Sequence, residues 1–195
     1  MNEKILNFDD SLSYLVIGNG PSLLENKWGD KINSYDEVIR FNRFKIKGFE
    51  KYVGTKTTIW STFGRGELPT DDFSRPSKVI FVHGGYGQPA YTPDEIIRIP
   101  LTYYNNLRKK LQNETIYKDN TKHLIPSSGI LVISWLLEYF LEKITIIGFD
   151  SFSKEKSSQH HYWHPSKFKK PKEHDGDWER QFIKKYENLG KIIKL

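Results

Sequence analysis

Residues 127–149 read SSGILVISWLLEYFLEKITIIGF, and this stretch limits the possible folds more than any other. Its two serines are good N-caps, and the helix they open, residues 129–142, is almost wholly apolar. Such a helix has to be packed inside the protein. It runs at once into residues 143–149, a short β-rich run that reads as a central strand. The same alternation recurs along the chain. Residues 14–18 form a buried strand that enters the turn Gly18-Asn19-Gly20-Pro21-Ser22, with a helix after it. Strands follow at 36–42, 56–62, 78–82 and 96–99, then a helix at 103–113, a helix at 177–189 ended by Gly190, and a last strand at 191–194. Strands alternating with helices predict an α/β chain: a single Rossmann-like, doubly wound, mostly parallel sheet in one domain spanning residues 1–195.

In such folds ligands bind beyond the carboxyl ends of the strands. The loops that begin at Gly18, Asn42, Thr62, His83 and Phe149 are therefore the places to look for chemistry.

Composition narrows the partners. The 195 residues are 37% hydrophobic with 12 Phe, 11 Tyr and 5 Trp, enough for a folded core. No cysteine is present, which removes disulfides and thiolate metal sites and favours a reducing compartment. The first ten residues lack the apolar core of a signal peptide, and the longest apolar stretch, residues 130–137, is too short to cross a bilayer. A cytoplasmic protein is the expectation, with peripheral contact at an inner membrane face compatible with its charge. The formal charge of +6 fits anionic company, such as a nucleotide, a nucleic acid or an anionic membrane; excess lysine also serves solubility alone.

Three stretches carry candidate chemistry. The turn at 18–22 offers backbone N–H groups to a phosphate or ribose, or is simply a tight turn. It is neither G-x-G-x-x-G nor a P-loop. Ser127, Ser128 and Gly129 place the positive end of a buried helix where an anion could sit, or are plain capping. Residues 160–179, HHYWHPSKFKKPKEHDGDWE, hold four of the six histidines. Their spacing does not match the helical zinc pattern and demands no metal. His174 just before a helix, with Glu179 one turn inside it, suits a general base oriented by a carboxylate, or a helix start with acids facing its dipole.

These stretches, taken in order, resemble the animal-type sialyltransferase family with its four sialylmotifs. Gly18-Asn19-Gly20, residues 32–42 and residues 48–58 are similar to the large motif; residues 126–131 through Gly148-Phe149 to the small motif. His161-Tyr162-Trp163 is similar to the third motif, and His174 with Glu179 to the final one. HHYW followed by HDGDWE is especially close to members that sialylate galactose at O3. The opening Gly-Asn-Gly-Pro-Ser also resembles bacterial sialyltransferases.

The resemblance implies transfer of sialic acid from CMP-sialic acid to a glycan, with inversion, without a metal or cofactor, on a variant Rossmann-like fold. It implies that Asn19, Gly20 and Asn42 contact the CMP moiety. Ser127, Ser128, Gly129, Gly148, Phe149 and Tyr162 would line the donor pocket. His161 would bond the departing phosphate, and His174, backed by Glu179, would be the base. A galactose-terminated glycan, such as a lipooligosaccharide or capsule precursor at the inner membrane, is the expected acceptor. The chain differs from animal members in lacking the cysteines that join the large and small motifs, and in carrying His164 where the third motif is usually acidic.

Other readings are a transferase for Kdo or another CMP-activated 2-keto sugar, and a sugar-nucleotide-binding module without catalysis. A nucleic-acid-binding protein built on the lysines of residues 167–172 is the reading least in keeping with the motifs.

Overall fold

The computed structural model describes residues 8–64, 75–82, 91–117, 121–150, 161–163 and 173–195. Seven strands, β1 (Tyr14–Ile17), β2 (Glu37–Phe41), β3 (Ile59–Thr62), β4 (Lys78–Phe81), β5 (Glu95–Arg98), β6 (Ile144–Ile147) and β7 (Ile192–Lys194), form one sheet. Their order is β5-β4-β3-β2-β1-β6-β7, and every pairing is parallel.

Parallel strands covered on both faces need apolar residues at consecutive positions, and Tyr14 to Ile17 are all buried. Along β1, Tyr14 and Val16 enter one core while Leu15 and Ile17 enter the other. The first core lies under α3 (Leu101–Glu114), α4 (Ser128–Tyr139) and α5 (Gly176–Asn188), which supply Leu107, Leu111, Trp135, Trp178 and Phe182. The second core takes Leu23 from a one-turn 3-10 helix (Pro21–Leu24), Ile32 from α1 (Gly29–Asn33) and Val53 from α2 (Glu50–Val53). Buried Arg40 tethers this side, donating to the backbone of Val53 and Lys56 and to Thr57 Oγ1. Burial lowers its guanidinium to about 10, still charged at neutral pH.

Each predicted strand and each long helix is present, with ends shifted by a few residues. The 143–149 run is an interior strand between β1 and β7 rather than the middle of the sheet. The short α1 and α2, which cover one face between β1 and β3, had no separate expectation. A helix after the first turn was expected, and it is the four-residue 3-10 turn.

From β1 the chain moves outward through β2 to β5, then returns to β6 on the other side of β1. The helices change faces at that return. The carboxyl ends of β1 and β6 therefore flank a topological switch point, where open α/β sheets bind ligands.

Candidate active site

At the switch point the two strand ends are nearly fused. The Gly18 N–H donates to the Ile147 carbonyl at 2.8 Å, and the Gly20 N–H to the Gly148 carbonyl at 2.9 Å. Gly148 is at φ 73°, and a Cβ there would stand 2.9 Å from both the Gly18 carbonyl oxygen and Leu23 Cγ. Only glycine meets both conditions. The next acid, Asp150, accepts from the Ser22 N–H at 3.0 Å and from the Ser22 hydroxyl. Its carboxylate lies where a Gly20 side chain would point. The N–H groups of Gly18, Gly20 and Ser22 are thus spent inside the protein, and an acid stands beside them. This turn is a joint between strands and has little left for a phosphate.

The end of β2 is different. Asn19 Nδ2 donates to the carbonyls of Phe41 and Arg43 at 3.3 and 3.1 Å, bracing the chain on both sides of Asn42. Asn42 adopts φ 47°, a left-handed conformation that asparagine tolerates better than most residues. Its Oδ1 is buried without a hydrogen-bond partner, as is Ser61 Oγ on the adjacent strand. A buried, unsatisfied amide oxygen is costly, and it fits a donor group arriving on a ligand.

His161, Tyr162 and Trp163 are held against the same loops. The Tyr162 N–H donates to the Asn19 carbonyl at 3.0 Å. Its hydroxyl donates to the Lys45 carbonyl and accepts from the Lys45 N–H at 3.1 Å. Tyr162 is 2% exposed, and burial pushes its phenol up to about 12. Its side chain ties the third motif to the segment after Asn42. His161 stacks on Trp163, centroids 4.6 Å apart and planes 19° from parallel.

On the other side of β6, Phe149 covers the start of α4. Its Cε1 would lie 2.5 Å from a Cβ on Gly129, and its ring meets Phe41 edge-on at 6.2 Å. Ser127 caps α4, accepting from the Ile130 N–H at 3.3 Å. Ser128 and Gly129 open the helix, where N–H groups lack intrahelical partners. The helix is 12 residues long, so its macrodipole is positive here.

Glu179 lies directly behind this end. Its oxygens accept from the Ser127 N–H at 2.9 Å and the Ser127 hydroxyl at 3.0 Å. It is 3% exposed, and burial pushes its carboxyl up to about 7 despite those two donors. The expected pairing of Glu179 with His174 thus takes another form: both of its oxygens are engaged at the cap of α4.

His174 is oriented by a backbone group. Its Nδ1 lies 3.1 Å from the Ile125 carbonyl. A carbonyl only accepts, so Nδ1 carries the proton and Nε2 keeps its lone pair. Burial lowers the imidazole pKa, only partly offset by that carbonyl and by Glu173. The neutral ring is a base at physiological pH. Asp175, 2% exposed, caps α5 by accepting from the N–H groups of Asp177 and Trp178, both at 3.0 Å.

Contacts therefore link Asn19, Tyr162, Gly20, Gly148, Phe149, Gly129, Ser127 and Glu179 along one edge of the sheet, with His174 at Ile125 next to Ser127. Sequence reasoning did not single out Asp150 as a site residue. An acid directly after a strand on the ligand-binding edge was a usable signal for it. The Ile125 carbonyl had none, being a backbone atom. His83, His160, His164 and the lysines of residues 167–172 lie outside the described residues. Among the described residues no group of three or more His, Asp or Glu side chains is placed to hold a metal ion.

The sequence matches Glycosyltransferase family 29 (sialyltransferase) over residues 12–67 and 70–191. The chain belongs to that family. Among curated relatives it is 29% identical over 196 aligned positions to human CMP-N-acetylneuraminate-beta-galactosamide-alpha-2,3-sialyltransferase 1, covering 91% of this chain and 56% of the relative. A shorter stretch of 73 residues, 37% of this chain and 19% of the relative, is 40% identical to rat CMP-N-acetylneuraminate-beta-1,4-galactoside alpha-2,3-sialyltransferase. The chain thus spans about half the length, or less, of these relatives.

A mammalian sialyltransferase structure superposes with a TM-score of 0.68 at 23% identity, over 94% of this chain and 68% of the other. The sialyltransferase CstII from Campylobacter jejuni, in complex with the substrate analogue CMP-3FNeuAc, gives 0.54 at 17%, over 94% and 81%. The family and the α/β architecture agree with what the motifs implied.

Proposed function

We propose that this chain transfers sialic acid from CMP-sialic acid to a hydroxyl of a glycan, galactose O3 being the favoured acceptor, with inversion and without a metal. The observation that carries the reading is His174: a half-buried, neutral imidazole, its tautomer set by the Ile125 carbonyl, at the start of α5 beside the cap of α4.

The chemistry follows from the donor. Its anomeric carbon is tertiary and bears a carboxylate, so the C–O bond to phosphate breaks early, leaving an oxocarbenium-like centre. CMP departs with that bond's electron pair. The α4 N-terminus and His161 offset the charge that develops on its phosphate. The acceptor oxygen bonds to the anomeric carbon from the opposite face and gives its proton to His174 Nε2. Asn19 and Asn42 hold the nucleotide, the orphan Asn42 Oδ1 being matched to a donor on the ligand. Gly20, Gly148 and Phe149 shape the floor. The relatives named above are a beta-galactosamide and a beta-1,4-galactoside alpha-2,3-sialyltransferase, which supports a galactose acceptor. The cysteine-free composition is in keeping with a reducing compartment.

Replacing His174 by Ala is expected to lower transfer from CMP-sialic acid about 10²–10⁴-fold, and near wild-type transfer in that variant would sink the assignment. Activity is expected to survive EDTA, and complete loss would restore a metal. Hydrolysis of CMP-sialic acid compared with CMP-Kdo decides the donor. CMP binding without turnover of either would leave only a sugar-nucleotide-binding module.

A further inference from the structure

We propose that Thr115, which lies outside every motif, is a positioning residue for His174 and acts through Asp175. This rests on His174 as the base. Thr115 follows the last residue of α3 and is 1% exposed. Its hydroxyl donates to Asp175 Oδ2, while Asp175 Oδ1 receives the Asp177 and Trp178 N–H groups. The same end of α3 makes two more bonds to this segment. Trp178 Nε1 donates to Glu114 Oε2 at 2.9 Å, and the Tyr117 hydroxyl to Asp177 Oδ2 at 3.0 Å.

His174 therefore stands between two anchors. On one side Ile125 holds it twice: its N–H bonds the Glu173 carbonyl at 2.9 Å, and its carbonyl faces His174 Nδ1. On the other side, one residue away, Asp175 is held by Thr115. Without the Thr115 hydroxyl, Asp175 Oδ2 becomes a buried anionic oxygen lacking its donor. The carboxylate then turns, the cap of α5 loosens, and the backbone that carries the imidazole shifts. A displacement near 1 Å at a reacting group costs up to about a hundredfold in rate. The donor-holding residues Asn19, Asn42, Ser128 and Phe149 sit on other segments, and Glu179, one turn into α5, keeps its own two bonds to Ser127, so nucleotide binding is spared.

The test compares Thr115→Val, which removes the donor at nearly constant shape, with Thr115→Ser, which restores it. In Thr115→Val, kcat with CMP-sialic acid is expected to fall at least about tenfold, with donor KM and calorimetric CMP affinity within about twofold, and Thr115→Ser is expected to recover most of the loss. The proposal is overturned if kcat stays within about twofold of wild type, if CMP affinity falls in step with kcat, or if serine fails to rescue. His174→Ala, measured alongside, separates the two assignments. Full activity there removes the base itself, whereas an inactive His174→Ala beside a fully active Thr115→Val removes only the role of Thr115.

Discussion

Two places on the sheet edge looked equally suited to a phosphate in the sequence: the Gly18–Ser22 turn and the Ser127–Gly129 helix start. In the folded protein they part company. At the first, the N–H groups of Gly18, Gly20 and Ser22 are consumed by Ile147, Gly148 and Asp150, and only a four-residue 3-10 turn follows. At the second, a 12-residue helix begins at Ser128, and burial pushes the carboxyl of the acid behind it up to about 7. A glycine-rich turn becomes an anion site only if its donors are left over after the fold is built, and here those of Gly18, Gly20 and Ser22 build the fold.

The largest effect separating these places is expected at the strand joint. Gly148→Val puts a branched side chain at φ 73° against Gly18 and Leu23, costing about 3 kcal/mol or more; a drop in thermal midpoint with loss of all CMP binding is the expected readout. A well-folded Gly148→Val would show that the joint is looser than described.

Next is Glu179→Ala. The Ser127 N–H and hydroxyl lose their acceptor in a buried setting, so stability falls by about 2–3 kcal/mol and donor affinity falls with it. If melting changes but CMP affinity does not, Glu179 supports the helix without shaping its anion-facing end.

The pH dependence of the same residue has a definite sign. Glu179 moves from an ordinary 4.5 to about 7 on folding, so between those values the native state binds a proton that the unfolded chain has released. Its contribution is fully present below about 4.5 and is lost as pH rises toward 7. Glu179→Gln should remove that downward slope in melts taken across the window. His174 works oppositely: with a lowered pKa, its contribution is present above 6.5 and lost as pH falls. Its slope should survive Glu179→Gln and vanish in His174→Ala.

The smallest effect is expected from Asp150→Asn, which keeps one acceptor for Ser22 and removes the charge. Stability should fall by about 1 kcal/mol. CMP affinity should move by less than about threefold, whereas a tenfold gain would place the phosphate at the first turn after all.

Much of this protein was legible in one dimension. Mostly apolar runs such as Tyr14 to Ile17 and Ile144 to Ile147 have to be covered on both sides, and an apolar helix body has to be buried, so strand count, parallel pairing and α4 follow from local composition. The ordered motifs carried the family in the same way. His174, Ser127 and Asn42 could be named because residue type and position beside a strand or helix end mark them.

What each named residue bonds to was decided only by the tertiary structure. Glu179 could be set behind His174 from spacing, yet its oxygens reach Ser127, 52 residues away in sequence. Tyr162 grips Lys45 across 117 residues, and Thr115 reaches Asp175 across 60. Hydrophobic burial is a property of segments and leaves a periodic trace in the chain. A hydrogen bond between distant segments depends on where the sheet order reverses and how helices cross it, and it leaves no such trace. The sequence by itself determined the layers and the strand ends at which to look; the packing of α3, α4 and α5 over that edge decided which residues hold His174 and which hold the helix end.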